Sequence, residues 1–339
     1  MAKVFITGGA GLIGYYITKN LLSKGHEVII YDAFLNYVSP FKSKYMSYLE
    51  YRLNDIKKDA KTIRGDIRHR GALIKALSDT QPNIVIHLAA IPIASASNEF
   101  SEDAIQINLN GTVTLLECLR VVKSVDRFLF SSSSFVYGDF AYEPADEEHK
   151  TCPIDVYGGT KLCGEVLTKA FGKKFGIGYT IIRPSAVYGP TDANRRVSQI
   201  FIESALLGQP LTLHNKGVEK VDFTYVEDVA EGFVLAAFSD KAKNETFNIT
   251  RGQSRTIKDF AYVLGQYFPQ IHFIEAPSDE ERPQRGALDI TKAGRLLDYY
   301  PKTSLEQGIP KYIEFLKEHD IRFNYKRKEI YDSPVSPVS

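Results

Sequence analysis

The chain has 339 residues, 44% of them hydrophobic, which suits one large or two interlocked globular units with a sizeable core. A formal net charge of +1 provides no basic field for nucleic acid and no polybasic stretch for a membrane surface. Cys118, Cys152 and Cys163 are an odd, scattered set without metal-like spacing, which points to a reducing compartment, and no signal peptide or apolar run of transmembrane length is read, so a cytoplasmic protein is expected.

Lys3–Thr7 is a short apolar run that predicts a strand. It is followed by Gly8-Gly9-Ala10-Gly11-Leu12-Ile13-Gly14 and a helical pattern through Leu22. Gly8 and Gly11 would let backbone approach a pyrophosphate at the helix N-terminus, and Gly14 would let the helix pack close to the sheet. The next strand, Glu27–Tyr31, ends in Asp32, whose carboxylate can accept from the adenosine ribose hydroxyls and would repel a 2′-phosphate. That favours NAD over NADP; a plain strand-end cap is the alternative. Ala33 to Ile63 reads as a loop plus a flanking helix with little functional information. Gly65-Asp66-Ile67-Arg68 follows a strand and places a carboxylate where it could meet the adenine amino group.

A helix is expected over about 71–78, then a buried parallel strand from Asn83 that ends in His87-Leu88-Ala89-Ala90. Its small terminal residues leave room for a cofactor, and His87 reads as structural. Asn108 lies in or opens a long helix running to about Val122. The strand Arg127–Phe130 runs into Ser131-Ser132-Ser133-Ser134-Phe135-Val136-Tyr137-Gly138, whose hydroxyls could bind a substrate hydroxyl or could simply form a polar loop. The alternation of strands and helices predicts an α/β fold with a doubly wound parallel sheet and right-handed crossovers.

Tyr157 and Lys161 stand four residues apart, on one face of a helix starting near Tyr157. By itself this pair is equally an ordinary helix face. As a proton-transfer device it requires lowering the phenol from about 10 to about 7, which takes roughly 4 kcal/mol. Further on, a helix is expected over about 197–207, a strand at Leu211–His214 and a turn at Asn215-Lys216-Gly217. Asp222 to Val229 leads into a helix to about Ser239, and Glu245–Ile249 reads as a strand. Thr256 can cap a helix over about 259–268, and Ser304-Leu305-Glu306-Gln307 has the form of a capping box before the last helix. The tail turns basic and then Ser/Pro-rich, and Asp332–Ser339 is expected to be disordered.

Taken together, Thr7 to Gly14, Asp32, Gly65-Asp66, His87 to Ala90, Asn108, the serine run with Val136-Tyr137-Gly138, Tyr157 with Lys161, Arg183-Pro184, Val187-Tyr188-Gly189-Pro190 and Asp222 to Val229 resemble the extended short-chain dehydrogenase/reductases. The resemblance is to their nucleotide-sugar epimerase and dehydratase branch, over Lys3 to about Glu318. It implies NAD as cofactor, a nucleotide-diphosphate sugar as substrate and a homodimer built on the helices of Asn108 and Tyr157. It also implies a Rossmann NAD domain over about 1–180 plus 218–250, a smaller, interleaved C-terminal α/β substrate domain over about 181–217 plus 251–322, and a tail at 323–339. Carried over by position, the catalytic residues are Ser133, Tyr157 and Lys161. The cofactor residues are Gly8, Gly11, Leu12, Ile13, Asp32, Asp66, Ile67, Leu88, Ala89, Ala90, Asn108, Ser131, Tyr157, Lys161 and Pro184; Arg183 is read as structural.

Departures from the family pattern narrow the reaction. Its 4,6-dehydratases carry Asp-Glu after the catalytic Ser/Thr, where this chain has Ser134-Phe135. A phenyl ring transfers no proton, so chemistry at one carbon remains: 4-epimerisation, or else net 4-keto reduction or oxidation. A non-catalytic cofactor-binding subunit is a third alternative. Two customary phosphate or substrate ligands are replaced by Ala186 and Val221, so a rearranged diphosphate site is expected around Arg282, with Arg195, Arg196 or Lys220. Substrate contacts are therefore expected from Ser133, Ser134, Phe135, Arg195, Arg196, Leu213, His214 and Arg282.

Overall fold

Strand β1 (Lys3–Thr7) is buried almost throughout, and its side chains alternate between two apolar cores: Val4 and Ile6 enter one, Phe5 the other. The same alternation holds in β2 (Glu27–Asp32), where Val28 and Ile30 oppose Ile29 and Tyr31. A strand apolar on both faces has to sit inside a sheet covered on both sides. The computed structural model, which describes residues 1–36, 45–277 and 283–320, shows this arrangement. Arg282 and the 323–339 tail fall outside the described residues.

The sheet has seven parallel strands. With β3 (Ala60–Arg64), β4 (Ile84–His87), β5 (Arg127–Ser131) and β6 (Tyr179–Pro184), its order runs from the Glu245–Ile249 strand through β6, β5, β4, β1, β2 and β3. The order reverses between β1 and β4, so the connections leaving these two strands diverge to opposite faces and open a crevice at their C-terminal ends. Helix α1 (Leu12–Ser23) and the Val226–Phe238 helix cover one face. The helices Arg70–Thr80, Gly111–Val121 and Val156–Phe175 cover the other. Asn108 lies in a π-helical segment, Ile105–Asn110, continuous with the Gly111–Val121 helix, and both pack on the Tyr157 helix within the chain.

A further core lies off the C-terminal edge of the sheet. Phe201, Leu211, Leu213, Phe223, Phe260 and Tyr312 pack there between the helices Val197–Leu206, Ile257–Gly265 and Leu305–His319. Thr256 and Ser304 cap the latter two helices through reciprocal capping boxes. The first of these starts at Ile257 rather than the expected 259, because the Thr256 cap orders the residues directly after it, with Asp259 as its third helical residue. Among the described residues no helix is long and apolar enough to cross a membrane.

One buried carboxylate holds this second region against the sheet. Asp222 Oδ2 accepts from Thr250 Oγ1 at 3.0 Å and from the backbone N–H groups of Gly252 and Leu288, each at 3.1 Å. Burial raises its carboxyl from 3.8 to about 7, against these donors, which pull it down. A carboxyl protonated more readily folded than unfolded contributes stability below its ordinary pKa and loses it as pH rises through about 7. Asp222→Asn keeps an acceptor oxygen and cannot ionise. Its melting temperature is therefore expected to stay flat between about pH 5 and pH 8, where the parent protein loses several degrees. Parallel melting curves for the two proteins would refute this assignment.

Candidate active site

The crevice is a cleft of about 770 Å³ running from the glycine turn to the second core. At one end lie Gly8, Gly11, Leu12, Ile13 and Asp32. Gly8 has φ +70°, and a Cβ there would meet the Ala89 backbone nitrogen at 2.6 Å, so only glycine lets the β1 turn pass under the end of β4. A Cβ on Gly14 would meet Gly9 Cα at 2.6 Å, which explains the close seating of α1. Helix α1 starts after Gly11 with no side-chain cap and no acidic residue in its first turn. Its first N–H groups are thus left to an anion in the cleft.

Asp32 both caps and lines. Its Oδ2 accepts from the Ala10 N–H at 3.0 Å and its Oδ1 from the Phe34 N–H at 2.8 Å, which ties the glycine turn to the end of β2. Burial raises its pKa, while Phe34, Ala10 and the Arg52 charge pull it down. Ile67, Leu88, Ala89, Ala90, Ser131 and Pro184 line the cleft as expected. Asp66 also lines it, but its carboxylate is engaged by Arg68 through contacts of 2.6–3.1 Å, a partner not anticipated from the sequence. The glycine cradle, the uncapped helix start and the carboxylate at Asp32 fit an NAD dinucleotide.

The reacting end is built by the Val156–Phe175 helix, which Asp155 caps by accepting from Gly158 N–H at 2.7 Å. Tyr157 and Lys161 point from its sheet-facing side into the cleft and are almost fully buried. Lys161 Nζ donates to the Ser131 carbonyl at 2.8 Å, and burial lowers its pKa to about 8. Ser133 caps the 3₁₀ turn Ser134–Tyr137, and its hydroxyl faces the Tyr157 phenol closely enough to pull the phenol pKa down.

The expected lowering of Tyr157 is not found in the chain by itself. Burial pushes the phenol up, and the pull downward comes from Arg196 and the Ser133 hydrogen bond. Lys161 is turned toward a carbonyl instead of the phenol oxygen.

Three expected contacts are corrected. Asn108 does not line the cleft: its Oδ1 accepts from the Ile91 N–H at 2.7 Å and its Nδ2 donates to Thr160 Oγ1, so it orders the β4 loop from behind. Ser134 is buried against Ser185, with Oγ atoms 3.1 Å apart. Leu213 is in the second core, because strand alternation turns it inward, whereas its neighbours Thr212 and His214 line the cleft.

Arg195 and Arg196 line the cleft, paired with Glu203 at 3.6 Å and buried Asp192 at 3.2 Å. Lys220, also lining, pairs with Glu143. Arg196 acts on Tyr157, which places it at the reacting end. Phe135 lies edge-on to Tyr157, with ring centroids 5.6 Å apart, and Arg285 stacks 4.1 Å over the Phe135 ring.

The sequence reading missed two buried groups. Glu165 stands four and eight residues beyond Lys161 and Tyr157, a spacing that could have revealed it. Its Oε1 accepts from Ser132 Oγ at 2.5 Å and its carboxylate takes a bidentate pair from Arg183 at 2.8 and 2.6 Å. That places Arg183 in the framework, as expected. His87 is likewise structural, bonded to Thr7 and Thr112. Arg52 lies with Tyr48 and Ile56 on the buried face of α2 (Tyr45–Ile56); an arginine on an apolar helical stripe was the available signal.

Comparison with known proteins agrees with this geometry. The sequence model of the NAD dependent epimerase/dehydratase family matches residues 4–250. A putative UDP-glucose 4-epimerase of Methanocaldococcus jannaschii is 31% identical over 327 residues, covering 94% of this chain and 99% of the relative. The crystal structure of UDP-glucuronic acid 4-epimerase from Bacillus cereus, with UDP-glucuronic acid and NAD, superposes with a TM-score of 0.86 at 30% identity, covering 93% of this chain and 99% of that one. UDP-glucose 4-epimerase from Thermotoga maritima, solved with UDP-glucose, gives 0.83 at 28% identity with the same coverage. The glycine cradle, the Tyr157–Lys161 helix and these full-length likenesses lead to one conclusion: the chain belongs to the NAD dependent epimerase/dehydratase family.

Proposed function

We propose that the protein is an NAD-dependent nucleotide-sugar 4-epimerase, with the segments 181–217 and 251–322 forming the part that binds substrate. The observation that carries the reading is the composition of the reacting end. Tyr157, Ser133 and Lys161 gather there, and Phe135 fills the position from which a second acid or base would act on the neighbouring sugar carbons. The relatives named above include UDP-sugar 4-epimerases, which supports the same choice.

NAD, when bound, supplies the hydride acceptor and a positive ring near the phenol. Tyr157 takes the proton of the C4 hydroxyl, with Ser133 beside the phenol to share that proton. Lys161, anchored on the Ser131 carbonyl, would hold a ribose hydroxyl of the cofactor and orient it against the serine run. After the 4-keto sugar turns within the cleft, Tyr157 returns the proton to the C4 oxygen of the inverted alcohol. Arg195, Arg196 and Lys220 offer the diphosphate its charge-assisted donors.

The test is proton NMR on UDP-, GDP-, CDP- and dTDP-sugars in deuterated water without added cofactor. The expected result is inversion at C4 with no deuterium entering the sugar, since the hydrogen returns from the cofactor. A requirement for added reduced cofactor would instead establish a 4-keto reductase, and deuterium at C3 or C5 would establish enolising chemistry.

A further inference from the structure

Arg52 is 2% exposed, among the most buried large side chains of the protein, yet it lines the same cleft as Gly11 and Asp32. It has one hydrogen bond, from its NH1 to the Thr191 carbonyl at 2.7 Å, and its Nε is buried with no acceptor. Among the described residues no carboxylate lies within ion-pairing distance of it. Asp32 and Asp192 act on it only at longer range, with Tyr45 and Tyr16. A guanidinium taken out of water without a paired anion is costly, and the cost is recovered only if an anion arrives. Other buried arginines of the chain obey this rule: Arg183 is clamped by Glu165.

The surroundings indicate which anion. Helix α2 carries Arg52 and docks on α1 through the Tyr15–Asp55 hydrogen bond of 2.6 Å and the packing of Tyr15 against Tyr51. Arg52 thus stands beside the helix whose uncapped start faces the cleft, and near the carboxylate at the end of β2. We propose that Arg52 is an anion-binding residue of the cofactor site, holding the dinucleotide's diphosphate together with the first turn of α1. The inference rests on the NAD site described above. Through the Thr191 carbonyl it also links that site to the loop bearing Asp192 and Arg196, so cofactor and substrate ends share one anchor.

The experiment uses the full-length chain freed of bound nucleotide with charcoal, as parent, Arg52→Met and Arg52→Lys. Each is titrated calorimetrically with NAD, ADP, adenosine and UDP. Arg52→Met is expected to weaken NAD and ADP about 10- to 100-fold, the size of a lost charge-assisted bond. Adenosine, which lacks phosphate, and UDP should bind within about twofold of the parent, and Arg52→Lys should fall between. The nucleotide-free Arg52→Met protein should melt at or above the parent, because an unpaired buried cation has been removed. Unchanged NAD and ADP affinity with a lower melting temperature would make Arg52 a mere tie between α2 and Thr191, and overturn the proposal. Weakened UDP with unchanged ADP would also overturn it, assigning the anion to the substrate. A parent protein that binds neither NAD nor ADP would instead refute the cofactor site itself.

Discussion

Replacing Tyr157 with phenylalanine is expected to lower kcat by about 10²- to 10⁴-fold while leaving NAD affinity within a few-fold of the parent. The ring is held by its packing against Phe135, so the variant keeps the shape of the cleft and loses one oxygen. That oxygen faces Ser133 and, under the proposed mechanism, exchanges a proton with a substrate hydroxyl. The parent protein should show an acid limb in kcat/KM, because burial raises the phenol and the reactive species is the phenolate. Activity therefore rises with pH until the phenol is ionised. Steady-state kinetics together with cofactor titration measure both halves of this expectation. A Tyr157→Phe protein that turns over like the parent would remove Tyr157 from the chemistry.

The second large effect concerns stability. Glu165 and Arg183 form a bidentate pair with side chains 1% and 3% exposed. Burial alone would lower the Arg183 pKa, but Glu165 and the Tyr137 hydroxyl raise it above its ordinary value. Arg183→Met leaves the Glu165 carboxylate buried and unpaired, and should cost about 3–5 kcal/mol. The double variant Glu165→Leu/Arg183→Met removes both charges and should recover most of that loss, as buried pairs replaced by apolar groups often do. Activity should not return with it. Ser132 then has no acceptor, so the serine run that carries Ser133 keeps only the Lys161–Ser131 tie to the helix that carries Tyr157 and loses the one through Glu165. Thermal melting and kcat measured on the same three proteins separate the two roles. A single variant as stable as the parent would show that the pair contributes nothing to folding.

The sheet, the glycine turn after its first strand and the Tyr157–Lys161 helix were legible in the residues, since each depends on local periodicity and on steric demands that only particular residues meet. β1 and the Glu245–Ile249 strand run between the residues read from the sequence, because a buried parallel strand is apolar on both faces and ends at glycine or polar residues. The cap at Thr256 and the capping box at Ser304 were visible for a similar reason: donor and acceptor lie within one turn.

Other features depended on distance through space. Asn108 stands where the family places a cofactor residue, but the π-helical segment turns it toward Ile91 and Thr160. Leu213 was one residue out of register with the cleft, and a strand reverses its side chain at every step.

What the amino-acid order determined was the fold class, the glycine cradle and the residue types of the Tyr157–Lys161 helix, all products of neighbours within a few positions. What only the tertiary structure decided was which charges face one another: Arg183 on Glu165, Lys161 on the Ser131 carbonyl, Arg196 near Tyr157, and Arg52 in the cleft wall with no carboxylate of the described residues in reach. The reason is that ionic and hydrogen-bond energies depend on separation and on the exclusion of water, and residues far apart in the chain acquire both only when the sheet brings its strand ends together.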